Sequence, residues 1–266
     1  MKRHVLILLA LAVAGNLPAA APSAPDSLPG IIFAHTVRSG AAIAPADDAK
    51  EPRAFQRGDT FSATGQTLLS DKGEPIALVF SNGDSLYLPN GGRLIFNEFT
   101  QAAVTDTSVH REYEPSHSMV RLTLTQGTLA LAARKMDPTS TFTLIAGQLQ
   151  VQSISQSLVV SVIGDTVTIT LFDGTAVVTV PETGFHDTLQ AGITATFSPK
   201  NLHDSYPLQL TPTTTAQSDL FGGWVSDARR TESKVYFFGP PHNLEVRQIL
   251  PVDFTQKMSI DDPRYR

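Results

Sequence analysis

The chain has 266 residues, of which 41% are hydrophobic and only 17% charged, with a formal charge of −5. That allows one ordinary domain with appendages and excludes an acidic disordered chain or a charged helical bundle. There is no cysteine, which rules out disulfide scaffolds, iron–sulfur clusters, thiolate zinc sites and cysteine nucleophiles.

The first element is a targeting segment. Lys2 and Arg3 precede an unbroken run of apolar and small residues from Val5 to Gly15, and Ala19-Ala20-Ala21 follows a Pro18 break. Eleven residues are too few to span a bilayer, which needs roughly 20. The pattern is that of a secretory signal peptide over residues 1–21, cleaved near Ala21, so the expected location is periplasmic or secreted. Loss of Lys2 and Arg3 takes the formal charge from −5 to −7. No later stretch is long and apolar enough for a transmembrane span. Residues 22–54 are rich in Pro, Ala and Ser and read as a linker, with a short strand possible at Ile31-Ile32-Phe33.

From Phe55 the chain alternates apolar and polar residues between turn signals. Ile76 to Phe80 is a near-continuous apolar strand. Ser81-Asn82-Gly83-Asp84 turns it, Asn-Gly tolerating positive φ at both central positions. Ser85 to Leu88, Pro89-Asn90-Gly91-Gly92 and Arg93 to Asn97 give a strand, a turn and a strand. Gln101 to Ser118 reads as a long polar loop. Val120 to Thr125 alternates cleanly, and Gln126-Gly127 predicts a turn into Thr128 to Ala133. Further strand pairs are expected around Ala146-Gly147, Gly164-Asp165 and Asp173-Gly174, with Ile193 to Phe197 last. About a dozen short strands without a helical period predict an all-β fold: a sandwich, a roll or a short solenoid. No fixed-period motif marks a strict repeat array. Residues 200–266 read as an extension with a polar linker at Thr211 to Thr215 and apolar clusters without a period.

Residues 58–198 resemble the FecR-like domain of periplasmic sigma-factor regulators and other envelope proteins. The matching pieces occur in family order: Gly58-Asp59-Thr60, Phe80-Ser81-Asn82-Gly83 with Leu86-Tyr87-Leu88, Pro89-Asn90 before Arg93-Leu94, the strand pair about Gly127, Phe142 to Val151 about Ala146-Gly147, Asp173-Gly174, and Leu189-Gln190-Ala191-Gly192. Departures are Ser153-Ile154-Ser155, where the family carries Gly-Thr, and the long 101–118 insertion. Classical regulators carry a cytoplasmic anti-sigma segment and a transmembrane helix before the domain. Here a signal-like segment precedes it, so the resemblance implies a FecR-like β domain over 55–199 that stands alone in the envelope.

Candidate chemistry is sparse. His110, Glu112, Glu114 and His117 lie within eight residues but match no rigid metal-ligand spacing, and they read as a solvated loop. Asp59, Asp84, Glu98, Asp165, Asp173 and Asp187 are the acids that could converge as in a glycosidase. Asp84, Asp165 and Asp173 fall at turns, where Asp serves the backbone. No nucleophile elbow, phosphate loop or dinucleotide fingerprint occurs. No cofactor, metal or catalytic residue is therefore expected. Nor is nucleic acid, for want of a basic stripe with interleaved aromatics. Phe221, Trp224, Tyr236, Phe237 and Phe238 in the extension are the candidate partner-binding residues; the alternative is that they cover one end of the β domain. The expected function is non-catalytic binding of an envelope protein or polysaccharide, through a strand edge or end loops. A signalling module and a carbohydrate-active enzyme are the alternatives.

Overall fold

The computed structural model describes residues 27–37, 40–45, 51–70, 74–104, 112–153, 157–238 and 244–248. The signal-like segment, and His110 of the polar loop, lie outside the described residues.

The strands, in chain order, are β1 (Leu28–Pro29), β2 (Ile31–Thr36), β3 (Ala41–Pro45), β4 (Arg53–Ala54), β5 (Thr60–Ser62), β6 (Gln66–Ser70), β7 (Ile76–Phe80), β8 (Ser85–Leu88), β9 (Gly92–Gln101) and β10 (Ser118–Ala132). After them come β11 (Thr141–Ala146), β12 (Leu149–Ser153), β13 (Ser157–Ile163), β14 (Thr166–Asp173), β15 (Thr175–Val180), β16 (Phe185–Gln190), β17 (Ile193–Phe197) and β18 (Leu208–Pro212). The last described elements are helix α1 (Thr215–Glu232) and a hairpin of β19 (Val235–Phe238) and β20 (Glu245–Gln248). The all-β expectation holds, with α1 as the α-helix among the described residues.

Pairing divides the strands into two layers that share β10. Layer I runs β5-β2-β7-β8, then the second half of β10, then β13-β14-β17-β18. Layer II runs β4-β3-β6-β9, then the first half of β10, then β11-β12-β15-β16. The short β1 pairs with the end of β9. The inner faces enclose one apolar core, which takes Ile76, Leu78 and Phe80 from layer I and Leu144, Val151 and Val178 from layer II.

β10 is one 15-residue strand, not the two strands joined at Gln126-Gly127 that the sequence suggests. Its inward set changes from Val120, Leu122 and Leu124 to Leu129 and Leu131, from even to odd, across a register shift between Leu124 and Gln126. A bulge with one extra residue does this and lets the strand leave one layer for the other. Gly127 (φ 102°) pairs with Gly92 (φ 145°) at the corner. A Cβ on Gly92 would lie 2.5 Å from the Gln126 carbonyl oxygen, and one on Gly127 would lie 2.8 Å from that of Gly91. Two chains can cross this closely only without side chains. Asp173-Gly174 is likewise a corner. β14 pairs with β13 and β17, whereas β15 pairs with β12 and β16.

The two ends of the chain differ from the sequence reading. Within the expected linker, Ile32, Phe33 and Ala34 of β2 and Ile43 of β3 are buried in ladders with β5, β6 and β7. The density of Pro and Ala hid a short alternating pattern. The polar stretch at Thr211 to Thr215 ends β18 and starts α1. The Thr214 hydroxyl accepts from the Gln217 amide, and the Gln217 side chain accepts from the Thr214 amide. This reciprocal cap is a Thr-x-x-Gln signature. Phe221, Trp224, Val225 and Ala228 then follow helical spacing, a period that Gly222-Gly223 disguises.

α1 and the final hairpin make a third layer on the outer face of layer I. Val225 and Ala228 pack on Ala130, Ala132 and Val159, with Tyr87, Phe172, Phe221 and Trp224 around them. Val235, Phe237 and Leu244 pack on Phe33 and Val79. Eighteen residues of helix are about 27 Å long, enough to cross from β14 to β7 at about 4.8 Å per strand.

Candidate functional site

The most unusual chemistry lies under the turn between β7 and β8. The turn is closed by Phe80 N–H donating to the Asp84 carbonyl and Gly83 N–H to that of Phe80, both at 2.9 Å. Gly83 alone takes positive φ, at 91°, and Asn82 does not. The Asn82 side chain is instead turned inward and fully buried. Its Oδ1 accepts from Asp84 N–H at 3.1 Å. Its Nδ2 faces Asp84 Oδ2 at 2.9 Å, Glu114 Oε1 at 3.1 Å and Ser118 Oγ at 3.1 Å.

The amide thereby holds two carboxyl groups inside the protein. Asp84 is 2% exposed and Glu114 9%. The other Asp84 oxygen accepts from Arg134 N–H at 3.3 Å. Glu114 accepts from Ser118 Oγ at 2.8 Å and from Asp137 N–H at 3.0 Å. Burial, reinforced by the Glu114 charge, pushes Asp84 up to about 8. Burial also raises Glu114, against the hydrogen bonds that favour its charged form. Burial thus favours the protonated form of Asp84, against the hydrogen bonds from Asn82 and Arg134 that favour its charged form. Each of the four carboxyl oxygens has a protein donor, so the pair faces its own scaffold, not a cleft.

Arg134 connects this cluster to the C-terminal layer. Its side chain is 4% exposed and lies across Gly83, where a Cβ would come within 2.3 Å of Nε. Nε and Nη2 both donate to Glu232 Oε1 near the end of α1. Ser85 Oγ donates to the Ala228 carbonyl at 2.9 Å. A cavity of about 330 Å³ opens beside this latch, lined by Gly83, Ala132, Arg134, Lys135, Arg229 and Glu232 among others. Its charges are matched: Arg229 lies 3.9 Å from Asp173, and Lys135 pairs with Glu112.

The loop acids therefore divide. Glu112 is exposed, as expected. Glu114 is not part of a solvated loop, because the hydroxyl and amides around it replace water. His117 is half-buried, with Nδ1 3.0 Å from Thr139 Oγ. The acids considered for glycoside hydrolysis are dispersed. Asp59 takes the Gln56 amide beside β5, Asp165 is in the β13–β14 turn, Asp173 faces α1, and Asp187 on β16 takes the Tyr206 hydroxyl. Glu98 stands opposite Arg121 on layer II. Among the described residues no group of three His, Asp or Glu could hold a metal.

Of the aromatics picked as partner-binding, Phe237 is 1% exposed and belongs to the contact with Phe33 and Val79. Phe221 and Trp224 are half-buried against layer I, with ring centroids 5.2 Å apart. Tyr236 and Phe238 are half-buried on the other side of the hairpin, where Arg247 lies 4.5 Å from the Phe238 ring centroid. Phe221, Trp224 and Phe237 cover a sheet face, not an end of the roll. Asn82, Glu114, Arg134 and Glu232 were missed as a constellation because four separate segments supply them. The legible signal was Asn82-Gly83-Asp84, which turn chemistry alone accounts for.

The outer face of layer II is different. Arg121, Thr123, Thr143, Gln150, Gln152, Thr179 and Thr188 project from it together with Ile95, Ile145 and Val177, and no described element packs on it. Among the described residues no helix is long and apolar enough to cross a membrane.

No family model matches the sequence, and no curated protein matches it. Two crystal structures, each described as a “putative anti-sigma factor” from Parabacteroides distasonis, are similar to it. One has 15% identity and a TM-score of 0.39, the other 13% and 0.38. Each comparison covers 55% of this chain and 59% of the other, so the chain spans less than two thirds of either.

Proposed function

We propose that this protein is an exported FecR-like β domain that binds an envelope protein or polysaccharide and transforms no substrate. The observation that carries the reading is the contrast between its acids and its open face. The perturbed carboxyls are enclosed and hydrogen-bonded to the scaffold. Layer II, in contrast, presents Thr, Gln and Arg side chains interspersed with Ile95, Ile145 and Val177, donors and acceptors around small apolar patches that suit a partner with both kinds of group. The order of the FecR-like motifs supports the family, since Asn82-Gly83, Gly91-Gly92, Gly127 and Gly147 occupy turns or corners of one roll. That order also favours a second reading, a signalling module, which would use the same face to sense its partner.

The test places a photo-crosslinking residue at Thr143 or Gln152 on layer II, and at Ser226 on α1 as the comparison. Adducts with envelope extract are expected from Thr143 and Gln152. Adducts from Ser226 alone would overturn the choice of face. Export is checked by N-terminal sequencing of protein recovered from the envelope, expected to begin near Pro22; recovery of the chain starting at Met1 in the cytoplasm would reject it.

A further inference from the structure

Two Asn-Gly dipeptides occur in the chain, Asn82-Gly83 and Asn90-Gly91. In such a pair the Asn side chain can close a five-membered imide with the next backbone nitrogen, because glycine sets no Cβ beside that nitrogen. In the unfolded chain the two pairs are chemically alike, and the fold separates them.

Asn82 is fully buried, and both ends of its amide are engaged: Oδ1 by Asp84 N–H, Nδ2 by Asp84, Glu114 and Ser118. The nitrogen that would attack it is engaged too, since Gly83 N–H donates to the Phe80 carbonyl at 2.9 Å. Closing the ring there would break all of these bonds at once, in a site that excludes water. Asn90 is the exposed residue of the Pro89–Gly92 turn, and among the described residues no hydrogen bond fixes its side chain. The corner also demands the glycine that follows it. Gly91 has φ 66°, and a Cβ there would lie 2.5 Å from Ser70 Oγ and 3.0 Å from the Ser70 carbonyl oxygen. Gly91 stays pinned against β6, so ring closure falls to the free Asn90 side chain.

We infer that Asn90 is a site of spontaneous deamidation, through an imide closed by the Gly91 nitrogen, and that burial shields Asn82 from the same reaction. The Gly91 nitrogen gives its proton to hydroxide and attacks Asn90 Cγ. The new Cγ–N bond forms, the Cγ–Nδ2 bond breaks, and ammonia leaves with a proton returned by water. Water then opens the imide. Attack at Cγ restores the ordinary peptide bond and leaves aspartate. Attack at the main-chain carbonyl carbon leaves the chain running through Cγ, as isoaspartate. Either route consumes one water and releases one ammonia. The two products differ in what they do to the fold. Aspartate puts a charge on an exposed side chain. Isoaspartate adds a backbone atom just before Gly92, which pairs with Ser70 of β6 and Gly127 of β10 and has no room to shift at the Gln126 carbonyl. The inference is independent of the proposed function.

The experiment ages the purified protein at mildly alkaline pH, folded and in denaturant, and reads both asparagines by peptide mapping with fragmentation that tells aspartate from isoaspartate. In the folded protein Asn90 should convert at least roughly tenfold faster than Asn82, which reacts only through local opening. In denaturant the two should convert at similar rates. Asn90→Gln, which would need a larger and slower ring, should abolish the reaction at 90 without changing the melting temperature. The separated isoaspartate form should melt below both the parent and fresh Asn90→Asp. Asn90 left intact in the folded protein while the denatured chain converts would overturn the inference, as would Asn82 converting at the same pace in the folded state. Equal melting of the isoaspartate form and Asn90→Asp would overturn the effect on the corner.

Discussion

The outer faces of layers I and II share one backbone pleat and differ in what covers them. Where α1 and the β19–β20 hairpin lie on layer I, its outward positions include Phe33, Ala77, Val79, Tyr87, Ala130, Ala132, Val159 and Phe172, apolar or small, whereas Thr168, Thr170, Thr194 and Thr196 face outward on β14 and β17. On layer II the equivalent positions are mainly Thr, Gln and Arg, and no described element covers them. Strands buried on both faces read as continuous apolar runs, and strands wet on one face read as alternation. Ile76–Phe80, buried at all five positions, is the first kind, and Thr175–Val180 is the second. The difference shows that the C-terminal extension belongs to the fold.

The strongest way to break the contrast is truncation after Pro212. It bares Phe33, Val79, Ala130 and Val159 together, and each large apolar side chain left in water forfeits about 1.5–3 kcal/mol. The shortened protein should aggregate, or melt about 10 °C lower or more, by light scattering and calorimetry. Equal stability and solubility would show that layer I needs no cover.

Within the cover, Phe237→Ala should cost about 3–5 kcal/mol. Tyr236→Ala, on the wetter side of the same strand, should cost about 1 kcal/mol. Denaturant midpoints read both. Equal costs would mean that the hairpin does not dock by its inner side.

Beneath the β7–β8 turn, Asn82→Ala leaves Asp84, Glu114 and Ser118 without their shared donor and should cost about 2–3 kcal/mol. The sign of the pH effect is set by Asp84. Its folded-state value, about 8, lies above its ordinary 3.8, so the unfolded chain ionises first. The Asp84 contribution is most favourable below 3.8 and is lost as pH rises towards about 8. Asp84→Asn should flatten that slope between pH 4 and 8, and an unchanged slope would reassign it to another group.

The smallest effects belong to layer II. Arg121→Ala and Gln152→Ala should change stability by no more than about 0.5 kcal/mol while reducing partner cross-linking. A large loss of stability from either would mean that this face is packed against something.

Much of the fold was legible. Alternation located the strands from β7 to β17, with β10 read as two, whereas β18, β19 and β20 fell in the stretch read as an extension without a period. The Thr214-x-x-Gln217 cap was also written in the chain, but Gly222-Gly223 blurred the helical period behind it. The buried acids were not legible. Asp84 after Asn-Gly satisfies every rule of a turn residue, and nothing within a few residues says that Glu114, Ser118 and Arg134 will surround it. Burial is a long-range property, and it raised the carboxyl of a turn residue well above its ordinary range.

The glycines show where local determination stops. Asn82-Gly83, Gly147-Gln148 and Gly164-Asp165 join strands of one layer as hairpins. Gly91-Gly92, Gly127, Asp173-Gly174 and Gly192 pass the chain from one layer to the other, with the same positive φ. Local chemistry alone requires the backbone to change direction at each of these points, because only glycine reaches those dihedrals without strain. It also determined that an all-β core would form, because alternation buries one face of each strand. Which glycine closes a hairpin and which turns a corner was decided by the tertiary structure. A dihedral is a demand on two bonds, whereas the layer a strand joins depends on where residues tens of positions away have left an apolar face to cover.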